Sequence, residues 1–223
     1  GRFSDAERGF AGASSSHLPW LKETALYMTA RTSLNQAQAD AFDEYGMPQL
    51  EHVDKSALSD AEAGFLGYLK TYPQGDYVAS ARGLLRRVYW LADDHAKLAE
   101  AYAWQLTQAT DAQRNVSVDE LVAEADLKLL MVNGKAVKNP MILLVSDLML
   151  MRAHTPPTLT RADLDGQKAV FADEPALFDY LQAAYALYVE HQPDSALKHL
   201  PQDVPSNPDY FAFSQQTDRK SVV

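Results

Sequence analysis

The stretch "ARGLLRRVYW" raises the first chemical question. Arg82 and Arg86 lie one helical turn apart, Arg87 follows, and Trp90 stands beside the same side. Guanidinium groups bind carboxylates through paired N–H donors, and arginine and tryptophan are frequent hot-spot residues at protein interfaces. Arg82, Arg86, Arg87 and Trp90 are therefore the candidate partner-binding residues, for an acidic peptide or chain terminus. Gly83 among them marks a point of close approach. The competing reading pairs the arginines with an acidic neighbouring helix and packs Trp90 into the next helix pair.

Other chemistry is thinner. Glu120 and Glu124 in "VDELVAEAD" share a helical face, as a general acid and base would. That work needs one of the two desolvated, and the surrounding residues read as a charged outer face. Asp93, Asp94, His95 and Glu100 are close in sequence but not at metal-ligand spacing, and His191 and His199 flank a turn. The phosphate-loop, dinucleotide, H-E-x-x-H and G-x-S-x-G signatures are missing. The chain has no cysteine, which excludes disulfides, thiolate zinc sites, iron–sulfur clusters and cysteine nucleophiles. No catalytic residue, metal ligand or cofactor is assigned, and the chain is read as non-enzymatic. Asn115-Val116-Ser117 fits a glycosylation acceptor, a pattern frequent by chance.

Charge and hydropathy narrow the partners. A formal net charge of −10 disfavours broad binding to nucleic acid or to an anionic membrane surface. The longest apolar run, Met141 to Met151, is broken by Ser146 and Asp147. It falls short of the roughly 20 residues of a membrane span and reads as a buried helix. The chain opens without methionine and is read as a mature or excised fragment. Missing cysteine suits an envelope protein and also many cytosolic ones.

These groups must be held by helices, because apolar residues recur at helical spacing nearly throughout. Tyr77, Ala81, Leu84, Val88 and Leu91 form one face, widened by Val78, Leu85 and Tyr89. Pro73 predicts a helix end near Thr71, and Asp76 is placed to cap the next helix. The helix before it, "SDAEAGFLGYLKT", would carry Ala61, Phe65, Tyr68 and Leu69 inward, with Ser59 as its cap. The order recurs: Ala6–Phe10 echoes Ala61–Phe65, and Leu21, Ala25, Met28, Arg31 and Thr32 align with Tyr77, Ala81, Leu84, Arg87 and Val88. The spacing is about 55 residues, so "NQAQADAFDEYGMPQLEHVDKSAL" is an insertion or a further helix and loop. Later helices are expected near His95–Thr110, after Ser117 with Glu120 as a capping box, along Asn139–His154, and around Phe178, Leu181, Ala184, Tyr185 and Tyr188 up to Gln192-Pro193. Val132–Val137 reads as a loop or small hairpin. Trp20, Tyr27, Tyr102, Trp104, Tyr185 and Tyr188 are expected in the inter-helix core.

Tyr72, Pro73, Gly75, Tyr77 and Ala81 in "FLGYLKTYPQGDYVASARGLL" resemble the tetratricopeptide-type repeats of Gram-negative envelope proteins. About 35 residues carry the resemblance well and a further 30 around Ala6–Leu34 carry it loosely; the period departs from the usual 34. The resemblance implies an all-α fold, a right-handed α-solenoid of antiparallel helix pairs. It implies a scaffold or adaptor in a bacterial envelope assembly, periplasmic or outer-membrane-associated, with a cytoplasmic location as the alternative. It carries over no catalytic residue.

The expected organisation is one helical-repeat domain over 1–200, divisible as 1–110 and 111–200, and an extended or partly disordered tail over 201–223 in which Tyr210, Phe211 and Phe213 dock on a groove. The expected activity is protein–protein interaction with a protein or peptide, without nucleic acid. The alternatives are the helical domain of a cell-wall or glycan hydrolase using the Glu120 and Glu124 pair, and self-association as a homodimer through exposed edge helices.

Overall fold

A computed structural model describes residues 2–130, 137–152 and 158–200. Among these residues the chain is all-helical, and pairing of extended backbone is limited to one isolated bridge, Phe42 with Pro48. Two compact units emerge. One holds the chain up to Ala101 together with Gln108–Glu120; the other holds Tyr102–Thr107 and the described residues from Leu121 onward.

The first unit contains α1 (Phe3–Ser14), α2 (Pro19–Ala37), α3 (Lys55–Thr71), α4 (Val78–Leu91) and the first half of α5 (His95–Thr107). Pro19 opens α2 at a first-turn position, where its missing N–H costs nothing. Thr71 ends α3 ahead of Tyr72-Pro73, as expected. The caps differ from expectation. Asp54, not Ser59, caps α3: its Oδ1 accepts from the Ser56 and Ala57 N–H groups at 3.0 and 3.1 Å. The helix therefore starts five residues before Ser59 would set it. Asp76 does not cap α4; its own N–H donates instead to Glu23 Oε1 at 2.7 Å.

That contact belongs to a network built on the Tyr-Pro turn. Glu23 Oε1 also accepts from the fully buried Tyr68 hydroxyl at 2.7 Å, and Tyr68 Oη accepts from the Tyr77 N–H at 2.8 Å. Burial, then the Glu23 carboxylate, push the Tyr68 phenol well above its usual range. Tyr27 stacks on Tyr77 with centroids 4.4 Å apart and meets Tyr68 edge-on at 5.8 Å. A β-carbon on Gly75 would stand 2.5 Å from Tyr68 Oη and closer still to the Glu23 carboxylate. Only glycine lets the turn sit on these oxygens. At Gly64 a β-carbon would reach Ala30 Cβ at 2.7 Å, so α2 and α3 touch through small residues. Ala25, Ala81, Phe65, Val88 and Leu91 complete the core; of the α4 stripe, Ala81, Val88 and Leu91 are buried, while Tyr77 and Leu84 are half-buried.

The second unit contains the end of α5, α6 (Val118–Ala125) from Leu121 with a π-turn over Asp126–Leu130, α7 (Pro140–Arg152), α8 (Arg161–Gly166), α9 (Pro175–Tyr188) and α10 (Pro193–His199). Asn139 caps α7 by accepting from the Met141 and Ile142 N–H groups at 3.1 and 3.2 Å. Every residue from Met141 to Leu148 is buried, so the long apolar run is a core helix. Phe171 and Phe178 pack with ring centroids 5.6 Å apart. Thr160 and Asp163 form a capping box at α8, and Arg161 donates to Glu190 at 2.7 Å while lying 4.5 Å over the Tyr185 ring. Tyr27, Tyr102 and Tyr185 are buried as expected, whereas Trp20 (61% exposed) and Tyr188 (46%) face solvent. Trp20 is in the first turn of its helix and Tyr188 in the last turn of its own. No described helix is long and apolar enough to cross a membrane. Of the expected loop or hairpin over Val132–Val137, residues 132–136 lie outside the described residues, as does the tail over 201–223.

Candidate interaction site

The four residues read from "ARGLLRRVYW" take different roles on α4. Arg86 is buried, with 1% of its surface exposed. Both of its terminal nitrogens donate to Asn115 Oδ1 at 3.1 Å. Asn115 lies against Gly83, where a β-carbon would stand 2.5 Å from the amide carbon. Gly83 is thus a point of close approach, but to the returning Gln108–Glu120 segment of the same unit. Arg86 does not present its guanidinium as a surface docking group would; it braces that segment. The asparagine of the Asn115-Val116-Ser117 pattern is the same residue, and its amide is packed on Gly83. Arg82 is half-buried, and burial pushes its guanidinium below the usual range.

Arg87 and Trp90 meet a residue that periodicity did not single out. Arg87 Nε donates to Gln38 Oε1 at 2.6 Å, and its guanidinium lies 5.1 Å over the ring of Phe42. Trp90 lies 6.2 Å from the same ring. All three are half-buried. Phe42 lies within the inserted stretch between α2 and α3. There the Asp43 side chain accepts from the Tyr45 and Met47 N–H groups at 2.9 and 2.8 Å. The Asp43 N–H donates to Met47 O, and Gly46 takes a positive φ of 78° that a side chain would strain. Gln49 N–H closes the loop on Ala41 O at 2.8 Å. Around this frame Tyr45 is 83% exposed and Met47 62% exposed. Tyrosine, methionine, arginine and tryptophan are the side chains enriched at protein interfaces. The sequence signal that could have found the loop was "DEYGM": an aspartate two residues before an aromatic and three before a glycine marks an Asx-type turn.

A cleft of about 420 Å³ opens elsewhere on this unit, beside the C-terminus of α4. Leu50, Leu58, Val88 and Leu91 supply apolar lining, and Glu51, Glu62 and Asp93 stand against a single Lys55. Lys97 donates to Glu62 at 2.7 Å. Asp93 has a φ of 57° and closes α4 as a Schellman cap: Asp94 N–H reaches Tyr89 O at 2.9 Å and Asp93 N–H reaches Trp90 O at 3.2 Å.

The remaining sequence candidates are engaged locally. Glu120 accepts from the Ser117 hydroxyl at 2.7 Å and the Ser117 N–H at 2.9 Å, so the capping box forms and holds the Glu120 carboxyl below its usual range. Glu124, in the other unit, accepts from Tyr102 Oη and Lys128 Nζ, each at 3.1 Å. His95 Nδ1 is 3.6 Å from Asp93 Oδ1, and no group of metal-ligating side chains gathers among the described residues. The carboxyl with a strongly raised affinity for its proton is one that sequence reading passed over. Asp147, 1% exposed within α7, is pushed up to about 7 by burial, offset in part by a 3.3 Å hydrogen bond from Gln167 Nε2. Comparison of the chain with family models, curated proteins and solved structures gave no match.

Proposed function

We propose that the protein is a non-enzymatic interaction module of helical-repeat type, an adaptor in a bacterial envelope assembly. Its partner docks on the inserted loop and the adjoining flank of α4. The observation that carries this reading is the loop itself: hydrogen bonds through Asp43 hold it, and it leaves Tyr45 and Met47 in solvent while its Phe42 meets Arg87 and Trp90. In repeat proteins, insertions gather on one face, often the binding face. Of the four residues first assigned to the partner, Arg87 and Trp90 keep that role, Arg82 is half-buried, and Arg86 is structural.

The repeat reading has its own support. Contacts Glu23–Tyr68, Ala30–Gly64 and Gln36–Asp54 run in opposite order along α2 and α3, as in an antiparallel pair. Contacts Thr24–Tyr77, Tyr27–Ser80 and Gln38–Arg87 run in the same order along α2 and α4, as in equivalent helices of successive repeats. Of the residues behind the envelope-repeat resemblance, Gly75 and Tyr77 sit in the Glu23 network.

The test is affinity capture from a lysate of the source organism with the intact chain and with Tyr45→Ser/Met47→Ser, both checked for folding by circular dichroism. A partner held by the intact chain and lost by the folded variant is the expected result. Equal recovery of every captured protein by both would remove the loop from the proposal.

A further inference from the structure

Two unsatisfied atoms in the second unit belong to one pair of side chains. Asp147, buried within α7, accepts from Gln167 Nε2 at 3.3 Å through Oδ1. Among the described residues, its other oxygen, Oδ2, and the Gln167 amide oxygen, Oε1, are both buried without a hydrogen-bond partner. An ionised carboxylate offers acceptors only, and so does an amide oxygen. Neither can satisfy the other. One proton changes that. Placed on Asp147 Oδ2, it makes the donor that Gln167 Oε1 lacks. The acid and the amide then join by two hydrogen bonds, N–H to Oδ1 and O–H to Oε1. A buried polar atom left bare costs about 1–3 kcal/mol, so one proton removes two such penalties.

Gln167 stands at a junction of the chain. Its N–H closes α8 on the Leu164 and Asp165 carbonyls, and its own carbonyl accepts from the Val170 N–H at 2.8 Å in the 3₁₀ turn Lys168–Phe171. The segment on either side carries Leu164 and Phe171, both buried. The pair therefore ties this corner to α7. Its surroundings favour the proton. Burial pushes the Asp147 carboxyl up to about 7; the Gln167 bond opposes this and the charge of Asp163 on α8 adds to it. Asp163 accepts from the Thr160 hydroxyl at 2.6 Å, and no cation among the described residues offsets it at Asp147. Asp165 and Lys168 are exposed, Arg161 is paired with Glu190, and Arg152 of α7 lies over the Tyr188 ring. On α9, which packs against α7, Asp179 is exposed and the buried or half-buried ionisable groups are the phenols of Tyr180 and Tyr185.

We propose that Asp147 and Gln167 form a proton-gated latch: the protonated acid holds the corner between α8 and the 3₁₀ turn on α7, and ionisation releases that segment, with Leu164 and Phe171, by local opening. The sign follows from the groups involved. The folded, closed form binds the proton more tightly than an opened form in which the carboxyl meets water. The latch is therefore shut in acid and loosens as pH rises through about 7. It lies in the second unit and does not depend on partner docking at the inserted loop.

The test is hydrogen exchange of the full chain read by mass spectrometry at pH 5 and pH 8, with rates corrected for the intrinsic pH dependence of amide exchange. Local opening exposes little surface, so exchange through it is insensitive to dilute urea, whereas exchange through global unfolding is steep in urea. Protection of the fragment 160–172 should fall by about tenfold or more from pH 5 to pH 8. Return of the carboxyl from about 7 to 3.8 on opening sets a ceiling of about a hundredfold. At pH 8 the fragment should be less protected than α9 by about tenfold, with exchange flat up to about 1 M urea. Asp147→Asn, which can pair amide to amide at any pH, should keep the fragment closed at pH 8. Gln167→Leu should open it already at pH 5. A smaller fall in the intact chain, or protection and urea dependence matching those of α9 at pH 8, would overturn the proposal. So would a fall with pH that persists in Asp147→Asn. The Asp147→Asn arm decides the question even where Gln167→Leu does not fold.

Discussion

Asp147 offers the sharpest quantitative handle on the fold. Its carboxyl sits inside α7, where every residue from Met141 to Leu148 is buried. Among the described residues, the one hydrogen bond to it comes from Gln167 Nε2; Asp147 Oδ2 and Gln167 Oε1 both lie buried without a partner there. Burial raises the carboxyl from 3.8 to about 7. Because the folded value lies above the unfolded one, the protonated form is the one the fold prefers. The contribution is fully present below about pH 4 and is lost as pH rises to 7, beyond which it stays lost. A shift of about three units at 1.36 kcal/mol each makes ionised Asp147 cost about 4 kcal/mol at pH 8, and about 1 kcal/mol at pH 4.5. Asp147→Asn keeps the shape, carries no charge at any pH, and can donate to Gln167 Oε1. Urea unfolding by circular dichroism should therefore find the Asp147→Asn variant ahead by about 3 kcal/mol more at pH 8 than at pH 4.5, a midpoint shift of about 1 M or more. Taking the difference between the two proteins cancels every other titrating group. A difference that stays flat across this range, or a substitution that destabilises at pH 8, would refute the reasoning.

Three further outcomes follow from the first unit. Tyr68→Phe leaves the Tyr77 N–H and the Glu23 carboxylate without their shared hydroxyl, a cost of about 2–3 kcal/mol that should lower the thermal midpoint by about 5–10 °C. Gly75→Ala drives a β-carbon into Glu23 and Tyr68 and should cost about 1–3 kcal/mol. Combined with Glu23→Ala it should cost less than the two changes summed, since the closest of the β-carbon's contacts is gone; chemical denaturation of the four proteins in that cycle decides it. Asp93→Gly relieves a left-handed backbone and should raise stability by about 0.5–1 kcal/mol, while Asp93→Val should lower it, both read from thermal melts.

Much of the helical frame was legible because its punctuation is local. Pro19, Tyr72-Pro73 and Pro193 act on their own neighbours, and Ser117 reaches Glu120 within one turn. What could not be read was decided at a distance. Asp76 has the right type and place for a cap, but Glu23, 53 residues earlier in the chain, takes its N–H. Arg86 lies opposite Tyr77 on a helical wheel and so looked exposed; the Gln108–Glu120 segment covers that far side through Asn115. A wheel knows one face of contact, and α4 has more than one. The candidate surface was half legible for the same reason. Arg87 and Trp90 could be named from type, while Phe42, which joins them, sat in a stretch with no period to follow.

That stretch also bears on the repeat proposed above, whose spacing would exceed the usual 34 residues. Equivalent contacts on α2 and α4 stand 53 residues apart, as in Thr24–Tyr77 and Tyr27–Ser80. The excess lies between α2 and α3, and from Gln38 to Asp54 it buries only Ala41 and Val53 among its apolar side chains. A segment retained for the core would bury more. A slack linker would not be tied by Asp43 to Tyr45 and Met47, by Gln49 to Ala41, by Asp54 to Ala37 and by Gln38 to Arg87. Ordering a loop before a partner arrives removes that entropy cost from the binding step. The extra residues thus contribute little to the core and much to holding two large apolar side chains in water, which favours recognition over packing as the reason they are there.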